Sequence, residues 1–127
     1  MILLDTHAWV WSLTDDRRLS QHAQSALNEA DAVFVSPISF FEIGQKVRIG
    51  KWPEMEKHIL ELPALLEQQG GRVAALSPHI CLEAAMLPWE NRDPFDRILA
   101  ATALQLDARL VSADEAFDGL PKVRRLW

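Results

Sequence analysis

The hydrophobic pattern alternates short apolar runs with longer stretches of helical period. Met1 to Leu4 is a short apolar run suited to a buried strand. Helices are predicted from about His7 to Leu13 and from about Ser20 to Ala30. The branched and aromatic run Ala32-Val33-Phe34-Val35-Ser36 predicts a second strand. A helix follows from Ser39 to Arg48, ended by Gly50. A longer one runs from Glu54 to Gln69, with Leu60, Leu65 and Leu66 on its apolar side and Gly70-Gly71 as its stop. Val73 to Leu76 reads as a third strand and Pro78 to Leu87 as a helix. Pro94 to Leu106 is another helix, carrying Phe95, Ile98, Leu99, Thr102 and Leu106 at helical spacing. Arg109 to Ser112 reads as a fourth strand and Val123 to Trp127 as a candidate edge strand. Strands that alternate with helices imply an α/β fold, with a mostly parallel sheet covered on both faces.

Composition narrows this picture. The 127 residues suit one domain, residues 1–127, with a real core: 49% are hydrophobic and 24% charged. No apolar run approaches the roughly 20 residues a membrane helix needs. The apolar start lacks a basic region and is cut off by Asp5, so no cleavable signal is expected. One cysteine, Cys81, forms no internal disulfide; it reads as core filler in a cytoplasmic protein. The net charge of −5 argues against nucleic acid as a partner unless several of the 18 acids share a cation-binding site.

In parallel sheets, ligands bind outside the carboxyl ends of the strands. Four acids are predicted there. Asp5 closes the first strand, Glu42 and Asp96 lie in the first turns of helices, and Asp114 follows the fourth strand. Each has a plainer explanation. Ser39-Phe40-Phe41-Glu42 matches a capping box, with Ser39 as the cap. Asp93 reads as the N-cap of a helix whose first residue is Pro94, with Asp96 favoured by the helix dipole. Asp114 suits a turn. Asp5 resists such a reading, because a carboxylate directly continuing an apolar strand is costly unless paired, hydrogen-bonded or metal-bound. Ionised carboxylates suit hard cations such as Mg²⁺ or Mn²⁺. His7, His22, His58 and His79 lack zinc-site spacing.

Four stretches carry a family resemblance. They are Leu3-Leu4-Asp5-Thr6-His7; Ser36-Pro37-Ile38-Ser39-Phe40-Phe41-Glu42-Ile43; Arg92 to Ala103, which contains Asp93-Pro94-Phe95-Asp96-Arg97; and Leu110-Val111-Ser112-Ala113-Asp114 with Phe117. In order and spacing the chain resembles the PIN-domain family, specifically the VapC-like toxins of bacterial type II toxin–antitoxin pairs. Ser112 stands where that family often has Thr, and keeps the hydroxyl. The resemblance implies a three-layer α/β/α fold and a Mg²⁺- or Mn²⁺-dependent endoribonuclease, with Asp5 and Asp96 as the principal metal ligands. Glu42 and Asp114 would complete the catalytic acids. It further implies a homodimer and a small cognate antitoxin. Metal-activated water would then cut RNA without 2′-OH attack, leaving a 5′-phosphate and a 3′-OH.

Around those acids, Lys46, Arg48, Lys51 and Arg97 are candidates for the RNA backbone, although each also suits a solvated or ion-paired residue. His7 is placed to line the site. The five tryptophans suit base stacking, the core, or a dimer or antitoxin interface. Two rival functions share parts of the pattern. An aspartyl phosphatase also places an Asp after its first strand, but wants a second Asp two residues on, where this chain has His7. An inactive module of the same fold, binding RNA or protein, would have lost one of the acids, and all four positions are acidic.

Overall fold

The computed structural model describes all residues, Met1–Trp127. In chain order the elements are β1 (Ile2–Leu4), α1 (Thr6–Leu13), α2 (Gln21–Glu29), β2 (Val33–Val35), α3 (Pro37–Arg48), a 3₁₀ segment (Pro53–Glu61), α4 (Leu62–Gln68), β3 (Arg72–Val73), α5 (Pro78–Met86), α6 (Pro94–Leu106), β4 (Arg109–Val111), a second 3₁₀ segment (Glu115–Gly119) and β5 (Arg125–Leu126). The sheet order is β3-β2-β1-β4-β5, and every pairing is parallel. Leu4 pairs with Val35 on one side and Val111 on the other, so the central strands end level.

Alternation along the strands separates two cores. Ile2, Leu4, Val35, Val111 and Leu126 face a core completed by Ala8 and Trp9 of α1, Ile43 of α3, Met55, and Leu62 and Leu66 of α4. Leu3 and Leu110 point the other way, against Leu99, Ala100 and Ala103 of α6 and against Phe117. Helices on both faces make the expected three-layer α/β/α arrangement. No helix is long and apolar enough to cross a membrane.

The structure corrects four expectations. The helix over Glu54 to Gln69 is divided: Pro63 has no N–H to donate and its ring crowds the preceding turn, so residues 53–61 wind as 3₁₀ and α4 starts afresh at Leu62. Leu60 consequently faces water, 95% exposed, while Met55, Leu62 and Leu66 take the core. The third strand is shorter and earlier, Arg72–Val73, because only two residues meet β2 before the chain turns toward the Ser77 cap of α5. Helix α3 begins at Pro37, not Ser39: Ser36 is the N-cap and accepts from the Ile38 N–H at 3.1 Å, with Pro37 at the first helical position. There is therefore no capping box, and Glu42 lies in the second turn rather than the first. Cys81, expected to fill the core, is exposed on α5.

Candidate active site at the carboxyl edge of the sheet

The chain leaves β1 toward β2 and β3 on one side, and β4 and β5 extend the sheet on the other. The reversal lies between β1 and β4, where parallel sheets open a crevice. Asp5 sits at its floor. Its backbone N–H continues the ladder to the Val111 carbonyl at 3.0 Å, and its carboxylate caps α1 by accepting the Ala8 N–H at 2.8 Å. Asp5 is buried, 8% exposed. Burial pushes its carboxyl up to about 6, against the hydrogen bonds from Ser112 and Ala8; the charges of Asp96 and Glu42 push further up.

Asp96 occupies the first turn of α6, which Asp93 caps by accepting the Phe95 N–H at 2.8 Å. Burial also raises its carboxyl to about 6, opposed by a hydrogen bond from Asn91 and reinforced by Asp93, Asp114 and Glu42. The Asn91 amide donates to Asp96 Oδ2 at 3.0 Å, while its carbonyl oxygen accepts the Asp93 N–H at 2.9 Å. Asn91 thus ties the loop before α6 to the Asp96 carboxylate. Its spacing before a capping Asp was the available signal for such a turn.

Glu42 is buried on α3 and accepts a 2.9 Å ion pair from Lys46, one turn on. Asp114 is exposed and caps the second 3₁₀ segment through the Ala116 N–H at 2.9 Å. The Ser112 hydroxyl binds the Asp114 N–H at 3.0 Å and also reaches Asp5, so one buried serine links both acids. A second buried hydroxyl pair joins α1 to α3: Thr6 Oγ1 donates to Ser39 Oγ at 2.9 Å. That bond explains why Ser39 is turned inward. Asp5 therefore lies within reach of the charges of Asp96 and Glu42, and Asp96 within reach of those of Glu42 and Asp114.

Arg97, a candidate for holding RNA, is committed elsewhere. Its guanidinium donates to the carbonyls of Ala84, Ala85, Leu87, Trp89 and Asn91 at 2.6–3.2 Å. It fastens α5 and the following loop to α6, and leaves Asp96 without a cation. Lys46 is likewise taken by Glu42, whereas Arg48 and Lys51 are exposed and unpaired. Among the tryptophans, Trp9 and Trp52 are buried and the other three are half-buried. The large exposed apolar side chains include Phe41, Leu82 and Met86 instead.

The sequence pattern of the PIN domain matches residues 2–123. The chain belongs to the PIN-domain family. This PIN domain is 34% identical, over 119 residues, to Ribonuclease VapC22 of Mycobacterium tuberculosis (strain ATCC 25618 / H37Rv), covering 89% of this chain and 86% of that protein. Its fold is similar to that of VapBC2 from Rickettsia felis, solved bound to a promoter DNA fragment (TM-score 0.70, 17% identity, 98% and 97% of the two chains). It is also similar to a toxin–antitoxin complex from Klebsiella pneumoniae (TM-score 0.64, 20% identity, 97% and 95%).

The donor chemistry of this PIN domain suits a hard divalent cation: two carboxylates held near each other, neither paired with Lys or Arg. No three Asp, Glu, His or Cys side chains form a ready cage.

Proposed function

We propose that this PIN domain is a Mg²⁺- or Mn²⁺-dependent endoribonuclease acting as the toxin of a toxin–antitoxin pair. The observation that carries the proposal is the pairing of Asp5 and Asp96, two carboxylates raised to about 6 that face acids and no cation, in a chain of this family. The name of the M. tuberculosis relative supports RNA as substrate, and the structural neighbours support an antitoxin partner. A homodimer is the matching assembly.

Asp5 and Asp96 would hold the cation, with Glu42 and Asp114 completing the acidic pocket. Such a cation supplies a water of lowered pKa and offsets charge on the attacked phosphate. The chain itself does the positioning. Ser112 and the Ala8 N–H hold the Asp5 carboxylate, and Asn91 holds that of Asp96. These bonds favour the ionised forms against burial, which is the state a cation requires. Lys46 fixes Glu42 at the wall of the cleft.

The test is to express the wild type, Asp5→Asn and Asp96→Asn without antitoxin and to map cellular RNA ends. Growth arrest by the wild type alone, with 5′-phosphate and 3′-OH ends, is expected. Equal arrest by the variants, or cyclic phosphate ends, would contradict the proposal.

A further inference from the structure

Beside the acidic cleft lies a second cavity of about 310 Å³, walled by His7 and Trp11 of α1, Arg18, Lys46 of α3, and Lys51 and Trp52 at the turn after α3, with Glu54 as its one acid. The turn is built by Gly50, whose positive φ of 78° a side chain would strain. It folds the chain back so that the N–H groups of Lys51 and Trp52 both reach the Lys46 carbonyl, at 2.8 and 3.2 Å. Trp52 is anchored in the core with 8% exposure. The His7 ring, itself exposed, lies 5.1 Å from Trp52 and 5.7 Å from Trp11.

The cations divide by role. Arg18 is bound to Asp16 and lies 5.1 Å over Trp11; Lys46 is bound to Glu42 and lies 5.2 Å over Trp52. Both stiffen the aromatic wall. Lys51 is exposed and free of any ion pair. The cavity adjoins the acidic cleft directly, since Lys46 spans both and His7 feels the charges of Glu42 and Asp114.

We propose that this cavity is a nucleotide subsite, taking one unpaired nucleotide of the RNA strand beside the cut bond, with its base on His7 and its phosphate on Lys51. Ring faces and a free ammonium at one rim are what single-stranded nucleic acid binds, largely without regard to sequence. An RNA in duplex form would keep its bases from the His7 ring. The proposal rests on the ribonuclease reading above. Of the three cations and one acid on this wall, Arg18 and Lys46 are already ion-paired, so Lys51 is the cation left for a phosphate.

The test is binding of a fluorescent single-stranded RNA oligonucleotide to the full chain in EDTA, as a function of salt, with cleavage measured separately in Mg²⁺. Lys51→Ala is expected to weaken binding and to lower the slope of log K against log salt by about 0.7. His7→Ala is expected to weaken binding roughly five- to tenfold with an unchanged slope, and His7→Phe to restore it, because the ring face is what is used. Arg109→Ala, at the opposite edge of the sheet, is the control and should match the wild type within twofold. Wild-type cleavage together with wild-type binding by Lys51→Ala and His7→Ala would overturn the subsite and leave the ribonuclease reading standing. So would a loss of antitoxin binding by these variants without loss of RNA binding, which would assign the cavity to a protein partner. A wild type that neither binds nor cuts RNA would overturn both.

Discussion

At the rim of the molecule, acids are gripped by cations. Arg125 holds Asp118 through two bonds of 2.9 and 3.1 Å, Arg18 holds Asp16 through bonds of 3.1 and 2.7 Å, and the terminal amine meets Asp31 at 3.1 Å. The hydrogen bond from Arg18 brings the Asp16 carboxyl down to about 2, and the partners of Asp118 and Asp31 lower theirs as well. At the carboxyl edge of the sheet the balance is reversed. Asp5 and Asp96 are both raised to about 6, chiefly by burial, with the charges of Asp96 and Glu42 adding to the shift of Asp5 and those of Asp93, Asp114 and Glu42 to that of Asp96. Arginine is close at hand, since Arg97 follows Asp96 in sequence, yet it is spent on five backbone carbonyls. Rim acids are neutralised within the chain. At the site Glu42 is paired with Lys46, but Asp5 and Asp96 have no cation of the chain to balance their charge.

The sharpest way to break this comparison is to neutralise a site acid. Asp5→Asn and Asp96→Asn should each reduce RNA cleavage by more than about 100-fold, above the 10- to 100-fold typical of supporting residues around a metal. Asn91→Ala removes a supporting residue and should cost about 10- to 100-fold. It should also shift the acid limb of the pH–rate profile upward, because the Asn91 bond is what lowers the Asp96 carboxyl. Arg97→Lys loses the planar fork on the loop carbonyls, and should lower stability by about 1–3 kcal/mol in urea unfolding with part of the activity lost alongside.

Stability against pH separates the two classes of acid by sign. The folded-state value of Asp5 lies above its unfolded value near 3.8. Its contribution to stability is therefore fully present below about pH 4 and is lost as pH rises through about 6. In EDTA at pH 7.5, Asp5→Asn should raise stability by about 1–2 kcal/mol, since Asn keeps the cap to Ala8 while shedding the buried charge. Asp118 runs the opposite way: its lowered carboxyl contributes above its unfolded value and loses that contribution as pH falls through the folded one. Being fully exposed, it should matter least, with Asp118→Asn lowering Tm by less than about 2 °C.

Much of this was legible in the sequence, for identifiable reasons. Apolar strands such as the buried Ile2–Leu4 and the partly buried Val33–Val35 announce themselves by composition, and Asp5 stood out because it directly continues the first. The Asp93-Pro94 start of α6 was equally plain, and the observed cap on Phe95 matches it. The hydrophobic period over Glu54 to Gln69 concealed the break at Pro63 and put Leu60 on the wrong side. Ser39 was misplaced because two serines precede Glu42, and only the three-dimensional contact with Thr6 shows which one caps. Asn91 lies two residues before the capping Asp93, a local signal that went unread, whereas the reach of Ser112 to Asp5 joins residues distant in sequence, and local pattern carries no trace of that.

The most direct test of an unbalanced site charge is calorimetric titration of the metal-free protein with Mn²⁺ at pH 6 and pH 8, in buffers of differing ionisation enthalpy. The account predicts tight binding that releases protons at pH 6, where Asp5 and Asp96 are part-protonated, and almost none at pH 8, with binding lost in Asp5→Asn and Asp96→Asn. Binding of Mn²⁺ by the Asp5→Asn/Asp96→Asn double variant as tight as that of the wild type would contradict it.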